Sequence, residues 1–206
     1  PCKIMRTLAA VTISLSFGLL STHAIANTAI QGAVITTTSV GNTSTDAYSI
    51  AIGGPTGATA MSRSLAIGEL SQATGDSSVS LGRISYATGI GSSALGLNTR
   101  ASGNSSSALG TNTMASATSS TAVGDGSTAS GISSLAVGNL SSAYSTNTIA
   151  IGTSAAAGIS GSPTISGGIA IGSSALANST DAVAIGTSSR ATGGKAVSIG
   201  AGNTAT

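Results

Sequence analysis

A four-residue alternation of aliphatic and small side chains recurs through most of this chain. Leu65–Gly68 reads LAIG and Val183–Gly186 reads VAIG, and the first position is Ser or Thr in some copies. Alternation with a period of two in aliphatic residues is typical of a short β-strand. The word therefore predicts a strand with one aliphatic face and one face that accepts only small side chains.

Eleven copies of this word lie in register. They are spaced by 15 residues, then by 14 six times, then by 20, then by 14 twice, and an Ala follows each glycine after five residues. We predict the last two residues of each word as repeat-core and turn residues: Ile52, Gly53, Ile67, Gly68, Leu81, Gly82, Leu95, Gly96, Leu109, Gly110, Val123, Gly124, Val137, Gly138, Ile151, Gly152, Ile171, Gly172, Ile185, Gly186, Ile199 and Gly200.

The second half of each unit supplies another strand and a turn. Its clearest copies read Ala-Thr-Gly, as at 73–75 and 191–193, and Ser, Asn or Asp follow, which suit tight turns. Each 14-residue unit is thus predicted to form one coil of an all-β parallel solenoid whose neighbours bury one another. The core of such a coil is thin, so we expect oligomerisation, with chains meeting through their Ala and Ser faces.

Two irregular spacings predict surface loops. The extra residue of the first spacing is placed near Met61 and Ser62, and the six extra residues after Ala157, in the stretch 158–166. Pro163 cannot donate to a β-ladder, so the second stretch should bulge from its coil. We interpret it as a neutral insertion, although insertions in repeat proteins often lie on a binding face.

The N-terminal segment has the features of an export signal. Lys3 and Arg6 precede a short apolar run, and Ala24–Ala26 provides an A-x-A cleavage pattern that a buried N-terminal helix would not require. We predict a signal peptide at 1–26, a leading segment at 27–49 that caps the first coil, and the repeat domain at 50–206. Met5 is the natural initiator, unless upstream sequence is missing.

Removal of the signal changes the charge and the available chemistry. The whole chain carries 7 basic and 5 acidic residues, but Lys3 and Arg6 belong to the signal, so the remainder is formally neutral. The only Cys and the only His, Cys2 and His23, leave with it. Because the remainder is neutral, we expect no nucleic-acid binding. Because catalytic triads and ordinary zinc sites need His or Cys, we also expect no cofactor, no metal and no enzyme activity.

The words resemble those of YadA-like heads, which belong to the trimeric autotransporter adhesins of Gram-negative bacteria. The similarity spans residues 50–206, and is clearest at Leu65–Gly68, Ile149–Gly152, Ile169–Gly172 and Val183–Gly186. It implies a left-handed parallel β-roll, a homotrimer, and a core filled by the aliphatic positions.

The same resemblance implies function and location. A head of this type is expected to attach to collagen-like ligands of the host extracellular matrix, to host cells or to other bacteria. It is expected to contribute to virulence and to be displayed at the cell surface, on the outer membrane. The chain ends inside a coil, at Ala205 and Thr206, without a stalk or a C-terminal membrane anchor. We therefore expect a fragment or a truncated product, secreted if the chain truly ends there.

A secreted ice-binding solenoid, or another structural β-solenoid, is the alternative. It is motivated by a column of hydroxyls beside the constant Ala, formed by Thr59, Thr74, Thr88, Ser102, Ser116, Ser130, Thr192 and Thr206. Tyr144 and two other residues interrupt the column. A segment of a phage fibre is a third possibility, but the export signal argues against it. Tyr86, Tyr144, Arg83 and Arg100 are interpreted as surface decoration.

Overall fold

The computed structural model describes residues 41–44, 48–162 and 165–206, all of them inside a unit that spans Gly32–Thr206. Every element of these stretches is a β-strand, and no helix occurs in them. All strand pairs are parallel. The prediction of an all-β parallel solenoid is confirmed. The predicted signal peptide and residues 27–40 of the leading segment lie outside the described part of the chain.

One sheet, here called the narrow sheet, is built from strands of two residues. Each coil contributes one of them, so that neighbours in the sheet are alternate strands of the chain. Its strands are β1 (Thr43–Ser44), β3 (Thr59–Ala60), β5 (Gln72–Ala73), β7 (Tyr86–Ala87), β9 (Arg100–Ala101), β11 (Met114–Ala115), β13 (Thr128–Ala129), β15 (Ser142–Ala143), β17 (Ala156–Ala157), β19 (Leu176–Ala177), β21 (Arg190–Ala191) and β23 (Thr204–Ala205).

The other sheet, the wide sheet, holds the eleven repeated words in strands of three to five residues. Stacked neighbours differ by one 14-residue unit, as where Leu109 pairs with Val123. The strands are β2 (Ile50–Ile52), β4 (Leu65–Ile67), β6 (Val79–Leu81), β8 (Ser93–Leu97), β10 (Ser107–Thr111), β12 (Thr121–Asp125), β14 (Leu135–Val137), β16 (Ile149–Ile151), β18 (Ile169–Ile171), β20 (Val183–Ile185) and β22 (Val197–Ile199).

The interior of the solenoid is made of small residues. The second residue of nearly every strand is an Ala or Ser that is fully buried in the single chain, from Ala66 and Ala73 to Ala184 and Ala191. The aliphatic residues beside them point outward and are half-buried or exposed, such as Ile67 and Ile185 at 37% and 36% exposure. The prediction that the aliphatic positions fill the core is therefore wrong for this chain, and so is association through the Ala and Ser faces.

The cross-section of the coil explains this inversion. Two opposed strands closed by tight corners within 14 residues leave an interior that admits a methyl or hydroxymethyl group from each strand. Larger side chains must therefore take the outer positions of the alternation. The polar corner residue before each strand also points inward, and in most coils it is a fully buried Ser or Thr, such as Ser85, Thr99 and Ser127.

Close stacking of the coils requires the glycine that ends each word. From Gly68 to Gly200 its φ lies between +114° and +133°, a conformation that side chains disfavour. A Cβ atom on these glycines up to Gly186 would lie only 1.8–2.6 Å from the carbonyl oxygen of the equivalent glycine in the next coil. The predicted turn role of these glycines is thus accompanied by a second role in coil-to-coil contact.

The first coil departs from the expected register. Ala60, rather than Ala58, pairs with Ala73, whereas Ile52 pairs with Ile67 as expected. Two extra residues therefore lie before Ala60 and one residue is missing after it, so the extra residue is not near Met61 and Ser62. In addition, β1 lies inside the predicted leading segment and already pairs with β3, so the stacking begins before residue 50.

The second irregularity lies where the spacing predicts it. Ala157 pairs with Ala177 and Ile149 pairs with Ile169, so the six extra residues fall between Ala157 and β18. The chain leaves the narrow sheet after Gly158 and rejoins the coil at Ser166, which bridges to Thr146. Pro163 itself, whose bulge the sequence predicts, lies outside the described residues.

Candidate functional site

An apolar face runs along the outer side of the wide sheet. We call it the aliphatic face, and it consists of the first and third residues of each four-residue word. At the C-terminal end Val197 and Ile199 are 59% and 63% exposed, and Leu109 in the middle is 38% exposed. Monomeric proteins rarely expose a large contiguous apolar surface, and one usually marks a contact with another molecule.

The register of the sheet turns this face into two straight columns. One column contains Ile149, Ile169, Val183 and Val197, and the residues two positions later in the same strands form the other column. Strands of a sheet lie about 4.8 Å apart, so eleven of them extend the columns over roughly 50 Å. Three central coils interrupt the first column with hydroxyl residues at Ser93, Ser107 and Thr121.

The outer face of the narrow sheet is different in character. Four consecutive coils place Gln72, Tyr86, Arg100 and Met114 in one register column. The column continues with Thr128, Ser142, Ala156, Leu176, Arg190 and Thr204. Tyr86 and Arg100 are therefore direct neighbours. The sequence interpretation treated both as surface decoration and missed this pairing, although each directly precedes the constant Ala of its coil.

Four of the charged side chains in the described residues form ion pairs between neighbouring coils. Arg63 forms a two-point ion pair with Asp76, and Arg83 Nε lies 3.2 Å from Glu69 Oε2. The hydrogen bonds that Arg63 donates are the main cause that lowers the pKa of the Asp76 carboxyl. The two arginine side chains are about 60% exposed and the two carboxylate side chains 35–37%, so these surface pairs contribute little to stability.

No group of three or more His, Cys, Asp and Glu side chains among the described residues could hold a metal ion. Within the same residues no helix is long and apolar enough to cross a membrane.

The hydroxyl column loses a member in the structure. Thr59 pairs with Gln72, so it belongs to the strand column and not to the column of Thr74 and Thr88. With Tyr144 in the same position further along, the column forms no regular hydroxyl surface, and the geometry does not favour an ice-binding role.

Comparison with known families identifies these coils. The YadA head domain repeat (two copies) matches residues 62–83, 87–113, 115–141, 129–155 and 166–189, which together make up more than half of the chain. The chain belongs to the YadA head domain repeat family. The YadA-like head is a component of trimeric autotransporter adhesins, which supports an adhesin-type function and export to the cell surface. No curated protein matches the chain.

The structure of this YadA-like head assigns a place to each predicted repeat residue. The aliphatic member of every word, from Ile52 to Ile199, lies on the aliphatic face. The glycine after it follows the strand in eight words, whereas Gly96, Gly110 and Gly124 lie within the five-residue strands β8, β10 and β12. One signal in the sequence could have indicated the inward face: the position between the two aliphatic residues is always Ala or Ser, whereas the aliphatic column tolerates Ser93 and Thr121. The position that never holds a large side chain is the one that is buried.

Proposed function

We propose that this chain is the binding head of a surface adhesin that assembles as a homotrimer through its aliphatic face. The observation that carries the proposal is the exposure of that face over the whole wide sheet, with residues such as Leu109 and Ile185 more than one-third exposed in the single chain. The proposal includes the predicted export signal at 1–26, display on the surface of a Gram-negative bacterium, and the absence of enzymatic activity.

The composition of the two faces supports this division of roles. The aliphatic face carries no charged residue in any three-residue strand of the wide sheet, and only Asp125, in the longer strand β12, introduces one beyond the word. Depletion of charge is the compositional mark of an interface core. A three-fold axis would let each chain cover this face with its neighbours, because cyclic assemblies close on themselves. The solenoid interior is too small to stabilise a long rod by apolar burial alone, which association would remedy.

Trimer formation can be tested by sedimentation equilibrium with matched charge variants. Ile151 and Ile171 are adjacent in the aliphatic face, and Thr128 and Ser142 are adjacent on the outer face of the narrow sheet. We expect the wild-type chain and the variant Thr128→Asp/Ser142→Asp to sediment as trimers. The variant Ile151→Asp/Ile171→Asp should dissociate, because uncompensated carboxylates would be buried in the interface. A wild-type chain that sediments as a monomer at tens of micromolar would reject the assembly.

Attachment needs its own measurement. The trimeric chain should bind to surfaces coated with collagen, to host cells or to bacteria that display the same head, and the Ile151→Asp/Ile171→Asp variant should bind more weakly because avidity is lost. A trimer that adheres to none of these surfaces would reject the adhesin role and leave the assembly intact.

A further inference from the structure

The insertion after Ala157 creates a concave site on the surface of the solenoid. The inserted residues Ser160–Ser162 face the corner residues of the two preceding coils and enclose a solvent-open cleft of about 490 Å³. Ile132 and Tyr144 contribute its apolar wall. A volume of this size lies within the range of small-molecule sites, which is about 300–1,000 Å³.

The cleft is held by contacts inside the described residues. Ser145, which is only 2% exposed, donates a hydrogen bond from its Oγ to the carbonyl oxygen of Ser162 at 3.2 Å. Gly158 packs against the same serine so closely that a Cβ atom would lie 2.4 Å from Ser145 Oγ. The backbone N–H of Gly167 donates to the carbonyl oxygen of Thr146 at 3.1 Å and closes the loop. Both ends of the insertion are thus fastened to the coil below it.

The chemistry of the lining selects a class of ligand. None of the lining residues is charged, so the cleft offers no partner to a carboxylate, a phosphate or an ammonium group. It combines one aromatic ring and one branched aliphatic side chain with hydroxyls at Ser130, Thr146 and Ser160. A sugar ring presents the matching surfaces, since its C–H faces pack on an aromatic ring and its hydroxyls exchange hydrogen bonds with Ser and Thr.

We propose that this cleft is a binding site for a neutral saccharide, with Tyr144 as the stacking surface. Its lining includes no residue of the aliphatic face, so the site is separate from the proposed trimer contact. The interpretation of 158–166 as a neutral insertion is then replaced by a functional one. In the preceding coil the position of Tyr144 is occupied by Ser130, so the aromatic ring appears where the insertion provides a facing wall.

The site can be tested by saturation-transfer-difference NMR on the full chain. The probes are D-glucose, D-galactose and N-acetylglucosamine, with N-acetylneuraminic acid as an acidic comparison. Tyr144→Ser restores the residue of the preceding coil, and deletion of residues 159–164 restores the 14-residue spacing, so both variants are designed to keep the fold. Tyr86→Ser, on the narrow sheet outside the cleft, is the matched control.

We expect saturation transfer to at least one neutral sugar from the wild-type chain and from Tyr86→Ser. The signal should fall at least tenfold in Tyr144→Ser and in the deletion variant, each with an unchanged circular dichroism spectrum. Absence of transfer from the wild type, equal transfer from either cleft variant, or transfer to N-acetylneuraminic acid alone would overturn the proposal. Should Tyr144→Ser unfold, Tyr144→Phe, which keeps the stacking ring, must retain transfer for the proposal to stand.

Discussion

The buried hydroxyls at the corners of the coil should differ sharply in their contribution to stability. Ser85 and Ser127 each precede a two-residue strand of the narrow sheet, and both are fully buried. Ser85 Oγ donates to the carbonyl oxygen of Ala94 at 2.9 Å, and it accepts from Thr99 Oγ1 at 3.1 Å and from Ser80 Oγ at 2.9 Å. Ser127 Oγ has no hydrogen-bond partner. The two serines are therefore a matched pair in position and burial but not in bonding.

Replacement of each by alanine isolates the effect of bonding. A buried hydroxyl without a partner costs about 1–3 kcal/mol in desolvation, so Ser127→Ala should raise the free energy of unfolding by an amount of that order. Ser85→Ala should lower it by about 1–3 kcal/mol, because it removes three hydrogen bonds and deprives Ser80 Oγ and Thr99 Oγ1 of an acceptor. Alanine fits this corner without strain, since Ala155 and Ala175 occupy the same position in later coils.

Urea unfolding followed by far-ultraviolet circular dichroism, at one fixed protein concentration, measures both changes. For a domain of this size each kcal/mol corresponds to roughly 2–4 °C in Tm, so thermal scans provide an independent check. Ser142→Ala, on the outer face of the narrow sheet, should change the free energy of unfolding by less than about 0.5 kcal/mol. A Ser127→Ala variant that loses as much stability as Ser85→Ala would refute the assignment of bonded and unbonded hydroxyls.

Two other features lead to measurable outcomes. Gly110→Ala should destabilise the fold by roughly 2–6 kcal/mol, because its φ is +133° and the new Cβ would lie 2.0 Å from a carbonyl oxygen of the next coil. Gly194→Ala, which has no atom within 4 Å of its Cβ position, is the control in the same urea assay; equal midpoints for the two would contradict the stacking role. For the ion pair, Arg63→Ala should raise the pKa of Asp76 toward its ordinary value of 3.8, as measured by carboxyl NMR titration. The folded-state pKa is depressed, so the contribution of the pair to folding stability is present above the unfolded-state pKa and is lost as the pH falls through the folded-state pKa. An Asp76 pKa that does not change on the substitution would contradict Arg63 as the cause.

The periodicity of the sequence predicted most of the architecture. Eleven words with a constant 14-residue spacing indicated stacked coils with two strands each, and the wide and narrow sheets have that arrangement. The reason is that each coil is a local unit whose contacts are almost entirely with its two neighbours, so a local pattern specifies nearly the whole fold. The repeat pattern did not specify the handedness of the coil, so the left-handed roll stays a prediction from resemblance.

The direction of the side chains could not be predicted in the same way. Alternation shows which residues share a face of a strand, but not which face points inward. The usual expectation that Ile and Leu lie inside failed because the dimensions of the coil admit only Ala or Ser there. Ala58 misled the alignment of the first coil for a related reason: it lies five residues after Gly53 like its counterparts, yet Ala60 occupies the sheet position.

The candidate sites depended on juxtapositions that lie across coils. The cleft at Tyr144 forms only because the insertion returns to face it, and the spacing located the insertion but not its conformation. The pairing of Tyr86 with Arg100 could have been found by counting back from the constant Ala, because that Ala stays in register through these coils.

The small, uniform interior of the coil makes the length of the head an independently adjustable property. Each coil presents the same backbone ladder and nearly the same cross-section to the next, as the pairing of Ala108 with Ala122 and of Ala122 with Ala136 illustrates. Duplication or loss of one 14-residue segment would therefore change the reach of the rod by about 4.8 Å without any redesign of its core. The number of coils would thus set the reach of the head, while an insertion such as the one after Ala157 changes the surface of a single coil.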